Sequence, residues 1–98
     1  MVAEQLAFLA HRQDDMVAVA VRDVDAGTAQ WASLDAGARS DIEVLEPIKL
    51  GHKIALVPIS DGSPVIEYGQ KVAIAKADIA VGALVHVHNV RSARWQLA

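Results

Sequence analysis

Two histidines separated by one residue are the first feature of this sequence that could do chemistry. His86 and His88 lie in a Val-rich segment typical of a β-strand, in which alternate side chains project from the same face. Their Cβ atoms would then be roughly 6–7 Å apart, close enough for both imidazoles to bind one divalent metal ion or one anionic substrate. We predict a catalytic or metal-binding role for this pair. The competing interpretation is two exposed strand histidines without a ligand.

A second candidate, for binding a carboxylate, is the segment Gly51-His52-Lys53. The glycine lets the backbone approach a ligand closely, and an imidazole and an ammonium group follow it. Asn89, directly after His88, offers an amide to the same carboxylate, or it is a turn former that ends the strand. We expect His52, Lys53 and Asn89 to bind substrate, and a solvated surface His-Lys pair is the alternative.

His11 and Tyr68 complete the set of candidate substrate-binding residues. His11 and Asp14 predict either a capped turn, which we favour, or a His–carboxylate pair. Tyr68 precedes Gly69 and is expected to be a half-buried packing residue that could also lie near the site. The segment Arg91–Trp95 is either a partner-docking tail or a mobile terminus, since Trp and Arg are over-represented at the energetic centres of interfaces.

β-Strands must position these residues, because short Val/Ile-rich runs alternate with turn residues throughout the sequence. Met16–Val21 is the clearest run. Its valines (17, 19 and 21) point to one face and its alanines (18 and 20) to the other, which indicates that both faces are covered. No apolar stripe of helical period extends beyond a turn or two. The other predicted strands are Leu6–Leu9, Ala29–Ala32, Ser40–Val44, Lys53–Val57, Pro64–Glu67, Lys71–Ala75 and Leu84–His88.

One local pattern, an apolar anchor followed by two variable residues and a glycine, occurs four times. We interpret each copy as a tight corner at which the anchor enters the core and the glycine adopts a positive φ. The uneven spacing of the copies argues against a solenoid. The copies are Asp23-Val24-Asp25-Ala26-Gly27, Pro47-Ile48-Lys49-Leu50-Gly51, Pro58-Ile59-Ser60-Asp61-Gly62 and Asp78-Ile79-Ala80-Val81-Gly82.

Length and composition exclude several classes of protein. The 98 residues support one core only, which we place at about residues 6–90, with 91–98 as a tail. A net charge of −3 argues against nucleic-acid binding, and the absence of cysteine excludes disulfides and thiolate chemistry. The first ten residues lack a basic region and contain Glu4, and no apolar run reaches membrane-spanning length. We therefore expect a cytoplasmic protein with no membrane partner.

Several of these motifs, in this order, resemble the SAF domain at the N-terminus of altronate and galactarate dehydratases. The resemblance covers about residues 6 to 95. One loop departs from it, since the family often has His-Pro-x-Asp-Asn where this chain has His11-Arg12-Gln13-Asp14-Asp15. The motifs are Pro47-Ile48-x-x-Gly51-His52-Lys53-Ile54-Ala55-Leu56, Val65-Ile66-x-Tyr68-Gly69, Asp78-Ile79-x-x-Gly82 and His86-Val87-His88-Asn89.

The resemblance implies a mainly β fold, the β-clip, as a single domain with short helical turns. It also implies a sugar-acid hydro-lyase, usually with a divalent metal such as Fe²⁺, Mg²⁺ or Mn²⁺. Because the sequence stops just after His86-Val87-His88-Asn89, it looks like the form of the family that is a separate small subunit. The large catalytic subunit is then the expected partner and the main holder of the metal.

The resemblance leaves the substrate and the reaction open. The same small-subunit form occurs as the alpha subunit of sulfolactate sulfo-lyase, which eliminates sulfite rather than water, and a non-catalytic SAF ligand-binding module is a further alternative. In a lyase, a base removes the proton α to the substrate carboxylate, and the β-substituent then departs with acid or metal help. We expect the chain alone to be inactive, and a homo-oligomer of the isolated chain stays open.

Overall fold

The computed structural model describes residues 6–92, which form nine β-strands and no helix. The mainly β prediction is therefore confirmed, but the connections within 6–92 are tight turns rather than the short helical turns that we expected. The strands are β1 (Leu6–Ala10), β2 (Val17–Ala20), β3 (Gly27–Ser33), β4 (Arg39–Val44), β5 (Lys53–Ala55), β6 (Pro64–Glu67), β7 (Gln70–Ala75), β8 (Leu84–Val85) and β9 (Val90–Ser92).

The strands form two curled sheets that together resemble a half-barrel. One sheet has six strands in the order β4-β3-β1-β2-β5-β8, and the other has three in the order β6-β7-β9. The β1–β3 pair is parallel, and the other strand pairs described are antiparallel. The sheets meet where the backbone N–H of Met16 donates to the carbonyl of Ile66 at 3.0 Å.

Two aliphatic cores fill the space between the strands, so the prediction of a single core is wrong. One is built around Phe8, Ile48 and Ile54, and the other around Val17 and Val65, all of them fully or almost fully buried. Burial on this scale stabilises the fold by about 1.5–3 kcal/mol for each large aliphatic side chain. In β2 neighbouring residues are buried on both faces, as the Met16–Val21 pattern predicted.

The four predicted corners pair two by two, one pair in each core. Val24 and Ile48 exchange two backbone hydrogen bonds of 2.8 Å in the first core. Ile59 and Ile79 exchange the same two bonds, at 2.9 and 2.7 Å, in the second. The corner glycines have the positive φ angles that the pattern predicted, from 84° to 126°. Each anchor pair thus fixes two chain reversals at once.

An aspartate repeats in the two corner pairs. Asp23 accepts a hydrogen bond from the backbone N–H of Leu50, and Asp78 accepts one from Asp61, both at 2.9 Å. The acceptor Asp78 lies 55 residues after the acceptor Asp23 in the sequence, and the donor Asp61 lies 11 residues after the donor Leu50. The fold therefore uses one corner geometry twice.

The two uses of this geometry diverge after the glycine. Gly27 opens the seven-residue strand β3, whereas its equivalent Gly82 leads into β8, which is two residues long. Gly82 also packs so closely on β4 that a Cβ there would overlap the carbonyl oxygen of Glu43. The candidate histidines come directly after β8.

All eight predicted strands are present; Pro64–Glu67 has the predicted bounds, and the other seven have altered ends. The predicted strand Leu84–His88 is wrong beyond Val85, because the chain turns at His86. Part of the predicted tail is also ordered into the sheet, since Arg91 and Ser92 belong to β9 and pair with β7. The remainder of the predicted docking tail, including Trp95, lies outside the described residues.

Candidate functional site

A turn at residues 86–89, rather than a strand, carries the His-x-His motif. The side-chain oxygen of Asn89 accepts from the N–H of His86 at 3.0 Å, and its amide nitrogen donates to the Leu84 carbonyl at 2.8 Å. The backbone N–H groups of Asn89 and Val90 both donate to the His86 carbonyl at 3.0 Å. These bonds end β8 early, so the same-face geometry expected for His86 and His88 is wrong. Both polar ends of the Asn89 amide serve the turn.

The turn places the ring of His86 against the ring of His52. The two rings are stacked, with centroids 4.6 Å apart and planes 14° from parallel. His86 is exposed and His52 is half-buried, so His52 supports one face of the His86 ring. His88 is exposed and has no ring contact or hydrogen bond among the described residues. Whether His86 and His88 act in catalysis or bind metal stays a prediction.

Lys53, expected to bind a substrate carboxylate, already holds a carboxylate of this chain. Its Nζ lies 2.7 Å from Oε1 of Glu67, and the side chains are 37% and 11% exposed. A carboxylate that is nearly buried needs a positive partner, because burial of an unpaired charge is costly. The Lys53 charge is therefore largely compensated within the chain.

An open groove of about 180 Å³ lies beside this ion pair. Its lining is apolar except for Lys53 and His86, and it includes Val87, which is 71% exposed. Small-molecule sites usually have volumes of about 300–1,000 Å³ and bury most of the ligand. The groove is smaller than this range and open to solvent.

The loop of residues 11–15 is organised by Asp15, which is 2% exposed. Its Oδ2 accepts from the backbone N–H groups of His11 and Arg12 at 3.0 and 3.3 Å, and its Oδ1 accepts from the N–H of Tyr68 at 2.7 Å. A capped turn is present here, as we favoured, but the prediction that Asp14 supplies its carboxylate is wrong. The capping carboxylate is that of Asp15, and Asp14 is exposed.

Tyr68 and Gly69 form the two-residue turn between β6 and β7, and both have positive φ angles, 54° and 72°. Tyr68 is 55% exposed, more than the half-buried packing residue that we expected. Its ring contacts the guanidinium of Arg12, whose Cζ is 4.6 Å from the ring centroid, and the ring of His11, at 5.0 Å. These three side chains form what we call the Tyr68 platform.

Asp35, in the turn after β3, holds the 11–15 loop through a hydrogen bond to Gln13. Its carboxylate accepts from the backbone N–H of Gln13 at 3.1 Å. The hydrogen bond from the Ser33 side chain lowers the pKa of Asp35 from its usual 3.8, and the Gln13 bond adds to this effect. The carboxylate is thus ionised at neutral pH and able to hold the loop.

The Lys53–Glu67 pair connects the groove to the Tyr68 platform. Lys53 lines the groove and follows His52, while Glu67 directly precedes Tyr68. The structure therefore brings His52, Lys53 and His86 together and places His11 and Tyr68 in an adjoining cluster.

Sequence reasoning missed Arg12, Asp15 and Glu67 as members of this region. The predicted turn at 11–15 was a signal for Asp15, because turn aspartates commonly accept backbone N–H bonds. Nothing in the local sequence indicated the Lys53–Glu67 pairing, which joins β5 to β6 in different sheets.

A cluster of three or more metal-ligating side chains is absent from the part of the chain that the structure describes. Within 6–92, no group of three or more His, Asp or Glu side chains is close enough to bind one ion. The same range contains no helix long and apolar enough to cross a membrane.

Comparison with known proteins identifies the family. Residues 6–93 match the family described as the altronate/galactarate dehydratase SAF domain. The chain belongs to this family. The match spans all nine strands, so the SAF domain includes the groove, the histidine turn and the Tyr68 platform.

Relatives of this SAF domain fall into two kinds. The altronate dehydratase of Bacillus subtilis is 40% identical over 82 residues, and that of Escherichia coli is 41% identical over 78; the chain spans 15% of the length of each. The (2R)-sulfolactate sulfo-lyase subunit alpha of Chromohalobacter salexigens is 35% identical over 91 residues, 90% of this chain and 96% of that subunit.

Proposed function

We propose that this SAF domain is the small subunit of a hydro-lyase that acts on sugar acids, and that it supplies one wall of a substrate site completed by a large catalytic subunit. The observation that carries the proposal is the open groove in which the His52-supported ring of His86 lies next to Lys53. The family match supports the lyase class.

The incompleteness of the groove supports a site shared between subunits. A ligand in a groove of about 180 Å³ stays partly uncovered, and the exposed Val87 at its edge offers apolar surface for a partner to cover. We place the remaining catalytic groups and any divalent metal mainly on the large subunit. The isolated chain should therefore be inactive.

The second candidate function is the alpha subunit of a (2R)-sulfolactate sulfo-lyase. It is favoured by one observation, the match to 96% of the length of the Chromohalobacter salexigens subunit, compared with 15% of the altronate dehydratases. Both functions remove a β-substituent from a 2-hydroxy acid, so the same groove serves either. The difference lies in whether water or sulfite departs.

In the proposed reaction His86 acts as the proton donor to the departing group. Imidazole exchanges protons near neutral pH, and a positioned acid of this kind typically contributes about 10²–10⁴-fold to the rate. His52 fixes the orientation of the His86 ring, and Asn89 fixes the turn that carries it. Lys53, held by Glu67, is the other polar side chain that lines the groove.

The test is turnover by the complex of this chain with a large catalytic subunit that co-purifies with it, assayed on altronate, galactarate and sulfolactate. His86→Ala should lower kcat/KM by about 10²-fold or more, because it removes the proton donor. His88→Ala, on the same turn but without the His52 contact, should have a clearly smaller effect. Circular dichroism and co-purification would show that both variants fold and bind the large subunit.

Two results would contradict this assignment. Full turnover by the double variant His86→Ala and His88→Ala would exclude a catalytic role for the pair. A larger loss for His88→Ala than for His86→Ala would move the donor to His88. As a control, Glu43→Gln on the exposed face of β4 should leave turnover unchanged.

A further inference from the structure

Arg12 has a cationic group that no carboxylate among residues 6–92 neutralises. Its guanidinium lies over the ring of Tyr68, and this cation–π contact leaves the N–H edge of the guanidinium available. Lys53, by contrast, is paired with Glu67 at 2.7 Å. Unlike Lys53, Arg12 is able to bind an added anion without displacing a carboxylate of residues 6–92.

The backbone around Arg12 is fixed in advance. The buried carboxylate of Asp15 accepts hydrogen bonds from the N–H groups of His11, Arg12 and Tyr68. One side chain therefore holds the 11–15 loop against the turn between β6 and β7. Tyr68 also keeps a φ of 54°, a conformation that costs a non-glycine residue roughly 1 kcal/mol or more. The fold thus maintains a strained, half-exposed tyrosine directly beneath a guanidinium.

We propose that Arg12 binds an oxyanion of the substrate, with Tyr68 as the platform that positions the guanidinium and His11 as a neighbouring polar group. The proposal rests on the proposed function for the identity of the ligand, an organic acid. The planar fork of arginine binds carboxylate and sulfonate oxygens alike in a bidentate manner, so the shared chemistry is a terminal oxyanion.

The role assigned to Tyr68 separates binding from folding. Tyr68→Gly removes the platform but suits the positive φ angles of the turn, so it should keep or raise stability while it weakens anion binding. Tyr68→Phe retains the ring and should retain binding. A purely structural tyrosine would not produce this opposite pair of effects.

The first measurement uses the full chain alone, labelled with ¹⁵N, and follows the side-chain N–H signals of arginine by NMR. Methanesulfonate and lactate are added as sulfonate and carboxylate probes. We expect a saturable shift of the Arg12 signal with one or both probes, which identifies the preferred oxyanion, and its loss in Tyr68→Gly. Linear, non-saturable shifts of Arg12 with both probes would overturn the proposal.

The second measurement uses the complex with the large subunit. Arg12→Ala should raise KM by about 10–100-fold and change kcat by less than about 3-fold, because the contact is made equally before and during reaction. Arg12→Lys should recover part of the loss, and Arg39→Ala on β4 should have no effect. An unchanged KM in Arg12→Ala would overturn the Arg12 assignment and leave the lyase function standing. If the wild-type complex turned over none of the acids, the proposed function would fail, and the NMR result would decide the Arg12 proposal alone.

Discussion

At the scale of single residues, Asp15 links folding to the site. It is nearly buried, yet three backbone N–H groups from two separate segments satisfy its carboxylate. Hydrogen bonds to a charged group contribute about 1.5–3 kcal/mol each when they are measured singly. The positions of His11, Arg12 and Tyr68 therefore depend on one carboxylate that need not contact a ligand.

Asp15→Ala should lower the free energy of unfolding by about 2–4 kcal/mol, because it leaves three N–H groups without their acceptor. Asp15→Asn keeps one acceptor oxygen and should fall between this variant and the wild type. Urea denaturation followed by circular dichroism measures both. The neighbouring exposed Asp14→Ala is the matched control and should change stability by no more than about 0.5 kcal/mol. Equal losses at positions 14 and 15 would contradict the assigned geometry.

The sequence predicted several residues that the structure places together in the candidate site, but not their pairings. His52, Lys53 and His86 were identified by type and by neighbouring glycine or histidine, and the structure brings them together. The His86–His88 spacing was misinterpreted because a strand was extended through a turn. That turn depends on the side chain of Asn89 bonding back to residues 84 and 86, a local competition with strand pairing that alternation alone does not reveal.

At the scale of elements, the corner glycines differ in what surrounds them. Gly62 and Gly82 have nearly equal φ angles, 84° and 88°. A Cβ at Gly62 would meet open space, whereas one at Gly82 would overlap the Glu43 carbonyl at the end of β4. The same sequence pattern thus forms an exposed turn at Gly62 and a close contact with β4 at Gly82.

Gly82→Ala should lower the free energy of unfolding by more than about 4 kcal/mol, since it adds a backbone overlap to the cost of the positive φ. Gly62→Ala, with the φ cost alone, should lose about 1–2 kcal/mol. Thermal unfolding compares the two directly, and about 1 kcal/mol corresponds to roughly 4–8 °C in a domain of this size. Similar melting temperatures for the two variants would show that Gly82 does not pack on Glu43 in solution.

At the scale of the whole molecule, the domain has two cores, and each contains one corner pair with the same hydrogen-bond pattern. Strand positions were predictable from alternation, and the corners from their anchors and glycines. The pairing of corners was not, because it joins segments that are 24 residues apart in one core (24 and 48) and 20 in the other (59 and 79). Contacts between such distant segments leave no periodic signal in a single sequence.

Asp23→Ala and Asp78→Ala should each cost about 1 kcal/mol, because each removes one side-chain hydrogen bond to a backbone N–H of the paired corner. The double variant should lose the sum of the two within about 0.5 kcal/mol, since the bonds lie in separate corner pairs. Asp25→Ala, exposed in the same corner as Asp23, serves as the control. A strongly non-additive double variant would indicate one coupled core instead of two.

The early end of β8 has a consequence for how this domain can change over evolutionary time. Gly27 and Gly82 follow the same corner, but only the second leads into a short strand and a histidine turn. The hydrogen bonds that Asp78 and Ile79 make with the facing corner do not involve residues 86–88. Substitutions at residues 86–88 can therefore change the side chains that this turn presents beside the groove at little cost in stability.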